Sequence, residues 1–195
     1  MLVVCGGVHG DEPSGAAALA PLAAEGITTC GPCNPWGLAH GRRELEDGRD
    51  LNRCFAREDC AEARRVREFL VGHGPTLVLD LHEDRSADAP YIIQYGPDDD
   101  VGARVVARLS AKQQRFAARP RFGPVRGERG VLRPSRFWLG LVGVSRQWPL
   151  VYWAHRTFRI TACVIEVPGA WSLERRVAMH AEIVRAARCP ALAST

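Results

Sequence analysis

The chain has 195 residues, of which 46% are hydrophobic, so it can bury one real core but is too short for two full domains; we expect a single domain over residues 1–195. No apolar run approaches the ~20 residues of a membrane span, and the first apolar residues lack the basic flank of a signal peptide, so we expect a cytoplasmic protein without a membrane segment. The net charge is +4, and Lys112 is the only lysine. Arginine-rich chains bind phosphate or carboxylate groups well, which leaves nucleic acid or an acidic substrate open at this point.

Strand-like and helical segments alternate along the sequence. Runs rich in β-branched residues predict strands, and patterns with apolar residues on one side predict helices. The strands are predicted at residues 2–8, 27–33, 76–81, 91–95 and 160–167, and the helices at 12–25, 59–71, 99–114 and 172–187, the last with a capping serine at its start. This order predicts an α/β fold in which a mostly parallel, mixed central sheet carries helices on both faces.

The densest basic stretch is QQRFAARPRFGPVRGERGVLRPSR, with seven arginines against one glutamate. Its interleaved glycines and prolines are typical of a long loop, so we interpret residues 115–136 as a basic loop or lid with room for a short strand. Phe116 and Phe122 lie among the arginines, a pattern that can also bind RNA or DNA. We favour a solvated or substrate-facing loop and expect no nucleic-acid partner.

Polar residues follow three of the predicted strands. His9 and Glu12 come after LVVCGGV, His82 lies at the end of the apolar strand in LVLDLHED, and Glu166 lies at the end of the last strand in CVIEVPG. In parallel sheets, functional groups collect beyond the carboxyl ends of the strands. Two histidines and a glutamate can hold zinc and leave a fourth position for water, with Glu166 as general base.

Each of these residues also has an ordinary interpretation. A histidine and a glutamate three apart are more often solvated surface, and His82 could be a hydrogen-bonded core histidine. Glu166 is harder to explain in this way, because a carboxylate in an apolar strand is costly unless it is paired or functional.

A further segment, NPWGLAHGRRELEDGRDLNRCF, contains Asn34-Pro35-x-Gly37, then an arginine, then Asp50-Leu51-Asn52-Arg53. Together with the strand ends it resembles the signature of the zinc carboxypeptidase superfamily. The start GGVHGDE is most similar to the succinylglutamate desuccinylase and aspartoacylase branch. The ordered set runs over nearly the whole chain: His9, Glu12, Arg43, Asn52, Arg53, His82 and Glu166.

The resemblance implies a zinc carboxypeptidase-like fold and one zinc ion per chain. His9, Glu12 and His82 would be the metal ligands, with Asp80 orienting an imidazole. Glu166 would take a proton from water and pass it to the leaving amine.

The resemblance also assigns the arginines. Arg43 would stabilise the oxyanion of the tetrahedral intermediate, and spacing favours it over its neighbour Arg42. Asn52 and Arg53 would bind the free carboxylate of the departing amino acid, because a guanidinium group can hold a carboxylate through two hydrogen bonds.

The implied activity is zinc-dependent hydrolysis of an amide bond next to a free α-carboxylate. We favour an N-acyl amino acid as the small-molecule substrate; the alternative is a small metallocarboxypeptidase acting on peptide C-termini, such as those of cell-wall peptides. The sequence starts at the metal-ligand strand and ends soon after the helix that follows Glu166, so we expect neither the extra first strand nor the C-terminal β domain of related proteins. Tyr152 is the nearest counterpart of the mobile carboxypeptidase tyrosine, but its spacing favours core packing.

The cysteines suggest another chemistry that we consider weaker. Seven cysteines, an odd number scattered along the chain, fit reduced thiols better than a disulfide framework. TCGPC matches the thioredoxin redox motif, whose reactive cysteine lies at the start of a helix. Here Asn34-Pro35 follows immediately, which pushes Asn34 out of the α region, and Gly37 interrupts again. There is no second CxxC, so a zinc ribbon is also disfavoured.

Overall fold

A six-stranded mixed sheet forms the centre of the protein in a computed structural model that describes residues 1–97 and 100–188. The strands are β1 (Leu2–Gly6), β2 (Thr28–Cys30), β3 (Leu77–Asp84), β4 (Tyr91–Tyr95), β5 (Arg121–Phe122), β6 (Val125–Arg126), β7 (Val131–Leu132) and β8 (Thr161–Pro168). The helices are α1 (Pro13–Ala24), α2 (Pro35–His40), α3 (Ala61–His73), α4 (Val101–Ser110), α5 (Arg136–Ser145), α6 (Leu150–Phe158) and α7 (Leu173–Arg188).

The strand order is β2-β1-β3-β8-β4-β7. β2, β1, β3 and β8 are parallel to one another, β4 is antiparallel to β8, and β7 is parallel to β4. Strands β5 and β6 form a separate two-stranded hairpin. The predicted α/β fold with a mostly parallel, mixed sheet is therefore confirmed.

Helices cover both faces of the sheet, and a separate hydrophobic core lies between the helices and the sheet on each face. α1, α4 and α7 pack on one face through residues such as Leu22, Val105 and Ile183. α3 and α6 pack on the other through residues such as Leu70 and Val151. Because successive strand residues point to opposite faces, a strand buried on both sides reads as a continuous apolar run, as the sequence of β3 does up to Leu79.

The predicted elements are present with shifted ends, and the segment 115–136 is more ordered than a loop. It contains the hairpin β5–β6 and the edge strand β7, and α5 begins at its end. Helices α2, α5 and α6 were not predicted. The predicted helix 99–114 corresponds to α4, while Asp99 lies outside the described residues.

Two expectations from composition can be compared with the fold. Six cysteines are buried, and the seventh, Cys189, lies outside the described residues. Within residues 1–97 and 100–188, no helix combines the length and apolar character needed to cross a membrane.

The loop after β1 and helix α2 approach each other at two glycines. A Cβ atom added to Gly10 would lie 1.9 Å from the carbonyl carbon of Gly37. Asn34 begins α2, and its Oδ1 accepts a hydrogen bond of 2.8 Å from Gly37 N. The Asn-Pro-x-Gly segment thus forms a compact helix start against the loop that carries His9 and Glu12.

We expect Gly10→Ala to lower the free energy of unfolding by roughly 3 kcal/mol or to prevent folding, because backbone atoms of α2 would have to move. Gly72→Ala in α3 is the matched control, since nothing lies within 4 Å of its added Cβ, and it should stabilise the protein by about 0.5 kcal/mol. Urea unfolding of both variants measures the difference. Equal stabilities would show that the close approach is unimportant.

Candidate metal centre and active site

The side chains of the site share one face of the sheet by strand periodicity. Asp80 and His82 alternate with apolar residues on β3, and Glu166 lies two residues beyond Val164 on β8. His82 is in register with Glu166, and Glu166 with Tyr91 of β4. His82 and Glu166 lie near the carboxyl ends of β3 and β8, so they are at the same edge of the sheet as the loop after β1.

His9, Glu12 and His82 converge at this edge and are all buried. Glu12 Oε1 lies 2.8 Å from His9 Nδ1, and Glu12 Oε2 lies 2.8 Å from His82 Nδ1. The two Nδ1 atoms are 3.1 Å apart. One ligand atom from each residue lies within 4.8 Å of the others, so these residues can contact a common ion.

Local structure fixes Glu12. The turn after β1 closes with a hydrogen bond of 3.3 Å from Glu12 N to His9 O, and Pro13 then starts α1, where its missing N–H is not needed. Glu12 Oε2 also accepts a hydrogen bond of 3.0 Å from Glu83 N. The carboxylate is therefore held by both the loop and β3.

On each imidazole, Nε2 points away from the three clustered ligand atoms and contacts a carboxylate. His82 Nε2 lies 2.9 Å from Asp80 Oδ2, and His9 Nε2 lies 3.2 Å from Asp50 Oδ1. Nε2 donates in each of these contacts, so Nδ1 is the nitrogen left to bind a ligand. Two nitrogen lone pairs and a carboxylate facing one point need a positive charge between them, and the donor set therefore fits a metal cation.

The pKa shifts agree with this requirement. Burial lowers the pKa of His82, but the carboxylates of Asp80 and Glu12 outweigh it and raise the pKa well above the usual value. Burial raises the pKa of Glu12, but the imidazoles of His82 and His9 outweigh that effect, and its pKa is lowered. In the metal-free protein a proton on His82 supplies the positive charge.

Arg43 lies beside the three clustered side chains. Its Nη1 donates to Glu12 Oε1 at 3.1 Å and its Nη2 to Asp50 Oδ2 at 3.4 Å. Its side chain is 39% exposed and lines a cavity that opens at this edge of the sheet, whereas Arg42 is exposed and does not line it.

Asn52 and Arg53 lie in a short 3-10 turn, Leu51–Arg53. Asn52 Oδ1 accepts from Leu150 N at 2.9 Å, and Arg53 Nη1 donates to Asn52 O at 2.7 Å. Both residues line a cavity of about 740 Å³ that also contains His9, Glu12, His82, Arg43 and Glu166. The structure thus brings all seven predicted site residues to one cavity; their individual roles stay predictions.

Glu166 is 6% exposed, and its carboxyl group forms no hydrogen bond with another described residue. Burial is the main cause that raises its pKa to about 8; the His82 imidazole opposes this shift and the Glu12 carboxylate adds to it. A carboxyl group in this state gains or loses a proton near neutral pH, which suits proton transfer.

Asp50 is a site residue whose role the sequence did not reveal. Its Oδ1 also accepts a hydrogen bond of 2.8 Å from Asn52 N, so one carboxylate connects His9, Arg43 and Asn52. The signal in the sequence was its place in Asp-Leu-Asn-Arg, two residues before Asn52.

Two other sequence features have structural roles. Tyr152 is 2% exposed, donates to Leu139 O at 3.0 Å and does not line the cavity, as expected for core packing. In TCGPC, Cys33 N donates to Gly6 O at 3.0 Å, and the following Asn34 N donates to Gly7 O at 2.8 Å. This segment thereby supports the loop that leads to His9.

The mixed sheet, with the donor set at the carboxyl ends of its strands, has a metallocarboxypeptidase-like fold. The family model "Succinylglutamate desuccinylase/Aspartoacylase catalytic domain" matches residues 1–117. The chain belongs to this family. No curated protein sequence matches it significantly.

Solved structures share the fold at low sequence identity. A candidate metallopeptidase from Shewanella amazonensis SB2B superposes with a TM-score of 0.76 at 20% identity, covering 95% of this chain and 74% of that one. Helicobacter pylori Csd4, a D,L-carboxypeptidase, gives a TM-score of 0.66 at 16% identity over 95% of this chain and 49% of its own. A metallo-carboxypeptidase from Burkholderia cenocepacia gives 0.65 at 16% identity, over 95% and 55%.

We expect Asp80→Asn to weaken metal binding about 10- to 100-fold, because His82 Nε2 loses the carboxylate that orients it and raises its basicity. Asp47→Asn, an exposed carboxylate paired with Arg49, is the control and should bind metal like the wild type. Competition with a chromophoric chelator measures the affinity. An unchanged affinity in Asp80→Asn would contradict the proposed orienting role.

The raised pKa of Glu166 predicts how the stability of the metal-free protein changes with pH. In the folded protein Glu166 keeps its proton up to about pH 8, whereas in the unfolded chain it releases the proton at about pH 4. The stabilisation that the protonated Glu166 contributes is therefore fully present below about pH 4 and is lost as the pH rises to about 8. Relative to Glu166→Gln, which lacks the titrating group, the wild type should lose roughly 1 kcal/mol of stability per pH unit in this window. Urea unfolding of both proteins in the presence of a chelator, at pH 5 to 8, measures this loss. If the free energy of unfolding changed with pH equally in the two proteins, the prediction would be refuted.

Proposed function

We propose that the protein is a zinc-dependent hydrolase that cleaves an amide bond next to a free α-carboxylate, with an N-acyl amino acid as substrate. The observation that carries this proposal is the convergence of a His-Glu-His donor set, a buried carboxyl group of raised pKa and an arginine pair in one cavity. Family membership supports hydrolysis, and the contacts described above support the assignment of each residue.

His9, Glu12 and His82 would hold the zinc ion through two imidazole nitrogens and one carboxylate, a ligand set typical of catalytic zinc. When bound, zinc acidifies a water molecule and polarises the scissile carbonyl group. The carboxylates of Asp50 and Asp80 keep both imidazoles in the orientation required for binding.

Glu166 would transfer the proton. A cation among the three ligands favours the ionised form of this carboxyl group, so it can accept a proton from the attacking water. Its buried position prevents loss of that proton to solvent, and Glu166 then donates it to the leaving nitrogen. Removing such a base typically costs a factor of about 10² to 10⁴ in rate.

The arginines would bind the two negative charges of the reacting molecule. Arg43 is partly exposed and held by Glu12 and Asp50 beside the donor set, where it can donate to the developing oxyanion. Arg53 and the amide group of Asn52 would bind the α-carboxylate. The distance along the cavity between Arg43 and the Asn52–Arg53 pair then determines which bond of the substrate is cleaved.

A small metallocarboxypeptidase is the second candidate, and two observations favour it. The cavity of about 740 Å³ can hold more than one amino-acid residue. The structural neighbours include Csd4, described as a D,L-carboxypeptidase. The same residues would act on a peptide C-terminus, so a screen of N-acyl amino acids against C-terminal dipeptides separates the two substrates.

We expect Glu166→Gln to keep its metal and lose activity by a factor of about 10² to 10⁴, because the base is removed without changing the size of the side chain. Glu68→Gln on α3, exposed and outside the cavity, should remain fully active. Metal analysis and the rate of amine release on the screened substrates give both readouts. Full activity of Glu166→Gln with bound metal would exclude its role as base.

A further inference from the structure

Helix α5 turns an apolar face into the cavity. Trp138, Leu141, Val142 and Ser145 follow the spacing of one helix face and all line the cavity. No residue of α5 is buried, and Leu141 is 48% exposed. Apolar surface that stays in contact with water costs free energy, and a ligand that covers it recovers that cost.

The orientation of α5 is fixed by hydrogen bonds to its backbone. Tyr152 donates to Leu139 O at 3.0 Å, and Trp148 Nε1 donates to Gly143 O at 3.1 Å. A Cβ on Gly143 would lie 2.7 Å from the Tyr152 hydroxyl oxygen, so the helix lies close against α6. The apolar face is thereby held toward the cavity and cannot rotate away.

The apolar wall borders the pair that would bind the α-carboxylate. Gln147 and Pro149, just after α5, line the cavity, and the next residue, Leu150, donates from its N–H to Asn52 Oδ1 at 2.9 Å. On the sheet side the wall continues with three further apolar or aromatic lining residues, Ile93, Tyr95 and Val164. Burial raises the pKa of Tyr95, and the charge of Arg53 opposes that rise. Arg53 therefore lies near this part of the wall.

We infer that the departing amino acid carries a large apolar side chain, aromatic or branched aliphatic, which packs against Trp138, Leu141 and Val142. The inference rests on the proposed function in one respect: Arg53 binds the α-carboxylate of that amino acid. Arg121 would favour an acidic side chain instead, since it also lines the cavity and forms no ion pair with another described residue. It is exposed on the β5–β6 hairpin, where water already solvates it.

The test uses the zinc-loaded full chain and two readouts, calorimetric binding to the Glu166→Gln variant and hydrolysis by the wild type. The probes are N-acetyl derivatives of phenylalanine, leucine, alanine and aspartate. We expect N-acetyl-phenylalanine and N-acetyl-leucine to bind at least about tenfold more tightly than the alanine and aspartate derivatives. Tighter binding of the aspartate derivative would overturn the inference, as would absence of binding by all four.

Variants on α5 locate the effect. Leu141→Ser should weaken binding of N-acetyl-phenylalanine about tenfold and change binding of N-acetyl-alanine less than twofold. Val144→Ser is the matched control, because Val144 is 86% exposed and does not line the cavity; it should bind like the parent. Arg121→Ala should leave binding of N-acetyl-phenylalanine unchanged. Equal effects of the Leu141 and Val144 substitutions would overturn the inference.

The two readouts separate this inference from the proposed function. Leu141-dependent binding of the apolar probes without hydrolysis of any probe would support the apolar subsite and refute hydrolysis of N-acetyl amino acids. Hydrolysis with a preference for aspartate would support the hydrolase and refute the apolar subsite.

Discussion

The site depends on one electrostatic constraint: a buried carboxylate, Glu12, and two imidazole nitrogens face a common point within about 3 Å of one another. This arrangement is stable only with a positive charge at its centre, because desolvated acceptors otherwise repel. In the metal-free protein the charge is a proton held on His82 by Asp80 and Glu12. A metal ion has to displace that proton, so binding should be coupled to proton release.

The fold supplies this constraint through close backbone contacts and strand register. Gly10 and Gly37 let the loop after β1 touch α2, while the register of β3 with β8 places His82 beside Glu166. Residues distant in sequence thus meet without long side chains that would have to be ordered.

The sequence predicted the parts of this protein that depend on periodicity and on local motifs. Buried strands, the helices covering them and the polar residues at strand ends follow from apolar runs and their interruptions, and the seven candidate site residues do line one cavity. Helix α5 could not be predicted in this way, because its sequence RFWLGLVGVS is apolar on all sides and contains two glycines, so no alternation of apolar and polar faces marks it as a helix. Asp50 escaped assignment for another reason: a carboxylate that contacts Nε2 of an imidazole needs no fixed spacing from it along the chain.

Asp50 has a consequence for the energetics of the site. Its two oxygens accept hydrogen bonds from His9, Arg43 and the Asn52 backbone, groups assigned to three different tasks. Side chains that share a partner in this way do not contribute independently, and double-mutant cycles between such positions give coupling energies of about 0.5–3 kcal/mol. Affinity for the ion, stabilisation of the transition state and recognition of the substrate carboxylate would therefore constrain one another during evolution, since a substitution that improves one of them perturbs the other two through the same carboxylate.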